Sequence, residues 1–375
     1  MERFGDKVIC NPSVKLEKGN TYPHISIDKI TPGLRTVETN ELVEYTGQGG
    51  SKFEDGDVLM ARITPCLENG KTAIAKTNGK KGMGSTEFFV FRGIDGVTDS
   101  KYIYYLLRLP YMRNLAANSM TGASGRQRAD LGFIKKIPWS YPDIQIQREI
   151  VKYLSTYDEL IETNKKKIQT LEEIVTSTYK EWFVRFRFPG YKDCVFEKGI
   201  PQGWEVRKVK SLVKRLPFGK LYKADDLQPE GNVIVIDQST DEYVGFHSDE
   251  PSHVASLDDP IALFGDHSCK YKLMITPFSL SENVIPYKAE TGIELIYLYY
   301  ALRGLVETTE YKRHWSELMA KKVLLAPEAL QEDFVEMVKP MIDAIQTLNS
   351  ENRIIERQRD LLLPRLMGGS LGIKL

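Results

Sequence analysis

Two stretches of this chain carry apolar residues at a seven-residue repeat, and they begin 184 positions apart, at Gln147 and Gln331. In the first, Leu154, Ile161, Ile168, Val175 and Trp182 are seven apart, with Tyr157, Asn164, Leu171 and Thr178 between them. In the second, the series is Val338, Met341, Ile345, Leu348, Asn352, Ile355, Leu362 and Leu366, with Arg359 as a polar interruption. A seam of period 3.5 flanked by Lys, Glu and Gln predicts a long helix that wants one partner helix. The economical partner is the other stretch, and connection through a whole module suits an antiparallel pair. Asn164 and Asn352 occupy seam positions, where they either meet and fix the register or face solvent at the seam edge.

The segments before each arm also match. Residues 57–63 and 87–92 have strand character, 101–109 reads as a short helix ended by Pro110, and Pro138 and Pro142 bracket a stiff link into the first arm. Residues 260–264 and 280–287 read as strands and 294–303 as the matching helix. The pieces Tyr102-Ile-Tyr-Tyr-Leu-Leu-Arg108 and Ile296-Tyr-Leu-Tyr-Tyr-Ala-Leu-Arg303 make a duplication the better reading than two unrelated domains. The expected fold is α+β: two similar α/β domains at 1–141 and 188–327, separated by long antiparallel coiled-coil arms at 142–187 and 328–375, with pseudo-two-fold character.

Composition changes this picture little. Apolar residues make up 42% and charged residues 27%, ordinary for a globular chain. No N-terminal stretch has signal-peptide order, and apolar runs such as Leu295–Leu302 are too short for a bilayer. Cys10, Cys66, Cys194 and Cys269 are scattered without paired spacing, which fits reduced thiols in the cytoplasm and no metal site. Net charge is zero, but residues 1–141 carry 20 Lys+Arg against 15 Asp+Glu, net +5, and residues 189–326 carry 17 against 20, net −3. Only the first module has a basic bias.

Catalytic motifs are missing. There is no Gly-x-x-x-x-Gly-Lys-Ser/Thr phosphate loop, no glycine fingerprint between strand and helix, and no amino-methyltransferase tetrapeptide. Glu54, Asp55 and Asp57 read as a turn rather than a nuclease site. The loops instead offer side chains suited to a duplex. Arg62, Lys71, Lys76, Lys80 and Lys81 surround the first module's strands, and Arg126, Gln127 and Arg128 share the loop Met120-Thr-Gly-Ala-Ser-Gly-Arg-Gln-Arg128. In the second module the comparable set is Lys220, Tyr222, Gln238, His267, Lys270, Lys272, Arg313, His314 and Trp315. Lysines suit phosphates, and Arg and Gln suit paired hydrogen bonds to base edges. Taken singly, each is more often an ordinary surface residue.

Together these features resemble the specificity (S) subunit of type I restriction-modification systems over nearly the whole chain. The matching pieces are Gly56-Asp-Val-Leu-Met-Ala-Arg62, Gln147-Arg-Glu-Ile-Val151, Glu181-Trp-Phe183, Phe188-Pro-Gly190, Ile200-Pro-Gln-Gly-Trp204 and Arg359-Asp-Leu-Leu-Leu-Pro-Arg-Leu-Met367. The start of the second arm departs from the pattern, with Glu328-Ala-Leu-Gln331 and Asp333-Phe334 in place of a Gln-Arg start. The resemblance implies a non-catalytic, DNA-binding subunit with two target-recognition domains that read a bipartite target with a fixed nonspecific spacer. It implies partners as well: double-stranded DNA, two modification (methyltransferase) subunits docked on the arms, and ATP-dependent restriction subunits. S-adenosylmethionine, Mg and ATP would sit on those partners, with no cofactor in this chain. The arm residues expected at the subunit interface are Leu154, Ile161, Ile168, Val175, Trp182, Phe183, Ile345, Leu348, Ile355 and Leu362. The alternative is a two-module coiled-coil adaptor that recruits proteins rather than DNA, which the neutral charge favours.

Overall fold

A computed structural model describes residues 1–371, apart from 124, 240, 309 and 311. The last four residues of the second arm and Ser124 of the arginine loop therefore lie outside the described residues. The chain divides into two compact units, one made of Met1–Asn164 with the segment from Glu351 onward, the other of Lys165–Ser350. Each unit thus takes one half of each arm.

In the first unit a five-stranded sheet runs in the order Val8–Cys10, Phe88–Gly93, Val58–Ala61, Thr72–Lys76, Thr36–Glu38. Strands Val58–Ala61 and Phe88–Gly93 are antiparallel, Ala61 facing Phe88 and Val58 facing Phe91. Both are buried along most of their length, so they read as near-continuous apolar runs. The first tyrosine helix, Ser100–Arg108, packs beneath them and starts at Asp99, whose carboxylate accepts from the Lys101 and Tyr102 amides.

The second unit repeats this order. Val213–Arg215, Val284–Ala289, Ile261–Gly265 and Tyr271–Met274 form a sheet in that sequence, with Gly265 facing Val284. The second tyrosine helix is Leu295–Leu302. Four strands in matching order followed by a matching helix bear out the duplication. One expectation needs correcting: 280–287 is two strands, not one. Asn283 adopts φ 63°, which no strand accommodates, so Phe278–Leu280 ends before it and Val284–Ala289 begins after it.

The first arm is a helix over Ile144–Tyr179 and the second over Glu328–Met367. Their halves pair antiparallel within each unit. In the first unit Asp158 meets Arg359 and Asn164 meets Glu351; in the second, Tyr179 and Trp182 meet Phe334. The seam differs from the predicted one by a single position in three places, burying Asp158 rather than Tyr157, Ile342 rather than Met341, and Leu363 rather than Leu362. The stripe is wider than a two-helix seam because each arm also packs against its module's tyrosine helix. Asn164 and Asn352 are both buried but do not bond each other. Asn164 donates to Glu351 at 3.5 Å, and the Asn352 amide is buried without a hydrogen-bond partner.

At its first turn each arm is tied to its module by a glutamine. Gln147 is fully buried, accepts from the Asp99 amide at 3.0 Å and donates to the Val97 and Pro142 carbonyls at 2.9 Å. Gln331 accepts from the Glu294 amide at 3.1 Å and donates to the Ala326 carbonyl at 2.7 Å. In both units the amide side chain ties the arm's first turn to the residue that starts the tyrosine helix, as a buried polar group with satisfied bonds should. Although the second arm lacks the Gln-Arg start, its glutamine performs the same task.

Candidate nucleic-acid interface

Part of the set with the chemistry to touch a duplex gathers at one corner in each unit. In the first, Arg62 follows strand Val58–Ala61, Glu87 precedes strand Phe88–Gly93, and the arginine loop runs past both. Backbone bonds fix the corner: the Arg62 amide donates to Glu87 at 2.9 Å and the Ala129 amide to Arg62 at 2.8 Å. Side chains then converge on Glu87. Arg128 donates through Nε to Oε2 at 2.9 Å and through a terminal nitrogen to Oε1 at 2.7 Å. Arg62 Nε is 3.6 Å from the same carboxylate, and its guanidinium lies 5.4 Å over the Phe89 ring. Hydrogen bonds from Arg128 hold the Glu87 carboxyl below the usual carboxylate range. Arg126 is exposed beside them, and Arg62 also lines a groove of about 450 Å³ with Asn11, Ser13, Ser51, Lys52 and Thr86.

The second unit builds the same corner from different side chains. The Asp266 amide donates to Asn283 at 2.9 Å and the His314 amide to Asp266 at 2.8 Å, so Asp266 stands where Arg62 does and Asn283 where Glu87 does. Arg313 takes the place of Arg128; its Nε is 3.8 Å from Asp266 and its side chain is 77% exposed. A second group lies around Asp249, which accepts from Lys220 Nζ at 2.6 Å and from the Tyr222 hydroxyl at 2.9 Å. The bond from Lys220 lowers the Asp249 carboxyl, and Asp249 in turn raises the Lys220 amine.

Several residues named from the sequence are in the wrong place for a duplex. His314 is fully buried, with Nδ1 3.3 Å from Glu317 and Nε2 3.2 Å from the Glu310 carbonyl. Trp315 packs on Phe264 and Tyr287. Tyr222 is buried with its ring stacked 4.0 Å from His247, leaving only its hydroxyl at the surface group. Lys71 is spent on the Ile27 carbonyl at 2.9 Å. Lys272 is held by the Asp237 and Asp241 carbonyls, and burial pushes its amine down. Gln238 accepts from the His267 amide at 3.0 Å and so braces the turn after strand Ile261–Gly265. Lys76 pairs with Glu38 and Lys81 donates to the Lys15 carbonyl, both at 3.1 Å. Gln127 is half-buried, with its carbonyl accepting from the Thr64 amide. Lys80, Arg126 and Lys270 are exposed. The carboxylates Glu87, Asp249 and Asp266 went unnamed; a search for basic residues passes over the acids that hold them.

The arms show a similar division. Leu154, Ile161, Val175, Trp182 and Phe183 are buried within their own units, with Phe183 only 4.7 Å from the Tyr297 ring, so these five are not available to another subunit. Ile168, Ile345, Leu348, Ile355 and Leu362 are half-buried. The exposed apolar residues of helices Ile144–Tyr179 and Glu328–Met367 are others: Tyr153, Leu160, Ile354 and Leu361 in the first unit, and Ile174 and Met337 in the second. Tyr153 and Leu160 are seven apart, as are Ile354 and Leu361, a second repeat legible beside the first. Among the described residues no helix is long and apolar enough to cross a membrane, and no group of three or more His, Cys, Asp or Glu is placed to hold a metal.

Residues 7–173 match the family model described as the type I restriction modification DNA specificity domain. The type I restriction enzyme MjaIX specificity subunit of Methanocaldococcus jannaschii is 25% identical over 357 residues, covering 86% of this chain and 79% of that protein. The chain is thus similar to type I specificity subunits, with the specificity domain matched over nearly half its length. A second similar protein, the type I restriction enzyme EcoEI specificity subunit of Escherichia coli, is 35% identical over 105 residues, 28% of this chain and 18% of that protein. Among solved structures, the type I restriction-modification system S subunit from M. genitalium matches with a TM-score of 0.54 at 15% identity, covering 97% of this chain and 95% of that one. That likeness is one of fold, and it agrees with the α+β specificity-subunit architecture expected from the sequence.

Proposed function

We propose that this chain is the non-catalytic specificity subunit of a type I restriction-modification complex. Its two modules each read one half of a bipartite target on double-stranded DNA. Its arms set the gap between the half-sequences and dock two modification subunits, which methylate adenine with S-adenosylmethionine after flipping the base out of the stack. ATP-driven restriction subunits join that core, and the complex works in the cytoplasm.

The observation that carries this reading is the corner built twice. The same backbone bonds hold Arg62, Glu87 and Arg128 in one unit and Asp266, Asn283 and Arg313 in the other. A shared scaffold with diverged side chains suits two readers of two different sequences, because base edges are read by side-chain donors and acceptors while the scaffold fixes register. The exposed pairs Tyr153/Leu160 and Ile354/Leu361 supply an apolar surface for a docked helix of a modification subunit. The test is genome-wide mapping of adenine methylation in cells with and without this chain. A bipartite motif present only with the chain is expected; an unchanged map would overturn the reading.

A further inference from the structure

We infer that Glu87 is a positioning residue for base reading, holding Arg128 so that the free end of its guanidinium meets a guanine in the first half-sequence. This rests on the function proposed above. A guanidinium has five N–H donors arranged as a side edge and an end. Glu87 takes the side edge, through Nε at 2.9 Å and one terminal nitrogen at 2.7 Å. Among the described residues the other terminal nitrogen has a long contact, 3.4 Å to the Arg126 carbonyl. The end of the fork is therefore left over, and Arg128 remains 41% exposed. Two N–H groups in one plane are what guanine O6 and N7 accept in the major groove.

The carboxylate argues for a base over a phosphate. Pure phosphate attraction gains from positive charge alone, and Glu87 removes one of the three charges that Arg62, Arg126 and Arg128 bring to the corner. Orientation is what the carboxylate adds: it fixes a long side chain before the duplex arrives, which lowers the entropy lost on contact. In the second unit the equivalent position is Asn283, and among the described residues the ion pair of Arg313 is a 3.8 Å approach to Asp266. Guanine reading by a held arginine is accordingly a property of the first module.

The experiment uses the full chain assembled with its modification subunits and the target found by methylation mapping. Each guanine of the first half-sequence is replaced in turn by 7-deazaguanine, which lacks the N7 acceptor. With the native protein one replacement weakens binding about tenfold, the value of a good bidentate contact. In Glu87→Gln that sensitivity is lost, so native and 7-deaza duplexes bind alike, while affinity for random duplex is kept or raised. Glu87→Asp restores part of the discrimination. Arg128→Lys, which keeps the charge but cannot bind in two-pronged fashion, loses it with the salt dependence unchanged. The inference is overturned if no 7-deaza position matters in the native protein, or if Glu87→Gln keeps full sensitivity. It is also overturned if that variant loses affinity for every duplex in step with a lowered melting temperature. A native complex that gives no sequence-specific binding at all would instead remove the underlying functional reading.

Discussion

Asp158 is almost fully buried between two arms and still has its charge answered. Arg359 donates to it at 2.7 Å, the Tyr105 hydroxyl at 2.5 Å, and Arg108 lies 3.8 Å away. The 184-residue offset between the arms places Ile342 opposite Val175 at the corresponding point of the second unit, and both are buried. One unit closes its seam with an ion pair and the other with hydrocarbon. Arg359→Ala should destabilise the first unit by about 3–5 kcal/mol, because it strands a buried carboxylate. Exchanging the pair for its apolar counterpart, Asp158→Ile with Arg359→Val, should cost less than Arg359→Ala, because it leaves the Tyr105 hydroxyl without a partner rather than a buried charge. Denaturant unfolding of both variants decides this, and a double variant as weak as Arg359→Ala would contradict it. Arg359 read as an interruption in the sequence because its partner is 201 positions away, a distance no local pattern spans. The same blindness hid Glu87. Basic side chains stand out in loops, but the acids that aim them look like any other surface charge.

At the scale of elements, periodicity located both arms and both tyrosine helices, since long amphipathic repeats depend on nearest neighbours within the element. It did not distinguish which of two seven-residue stripes faces inward. Leu154 and Leu160 both belong to such stripes, yet one is fully buried and the other 47% exposed. This difference is testable. Leu154→Ala should cost about 2–5 kcal/mol of stability through the cavity it leaves. Leu160→Glu with Leu361→Glu should leave the melting temperature within a few degrees, as surface changes do, and abolish co-elution with the modification subunit on gel filtration. Retained co-elution would place the docking surface elsewhere. Gln147 was legible as part of a motif, but its work as a tie was not, because its partners are backbone groups at Val97, Asp99 and Pro142.

For the molecule as a whole, the repeat was plain in the sequence because it is written in apolar spacing and tyrosine clusters, both of which survive divergence of the loops. The split of 280–287 was not, since it depends on one asparagine in a left-handed conformation. If the arms set the gap between half-sequences, removing one heptad from each shortens them by about 10.5 Å at ~1.5 Å per residue. At ~3.4 Å per base pair that is about three base pairs. Methylation mapping should then return the same two half-sequences with a narrower gap; an unaltered gap in a folded variant would refute the measuring role.

The first unit draws its closing residues from beyond the second unit: Leu363 and Leu366 cover a core that contains Phe4 and Leu154. The second is contiguous, from Lys165 to Ser350. During synthesis, then, the later-made half has all its parts before the earlier-made one does. The first module keeps an apolar side uncovered until the stretch from Glu351 onward has been made. A chain interrupted before Glu351 would therefore cripple the part translated first, leaving its oldest residues prone to aggregate.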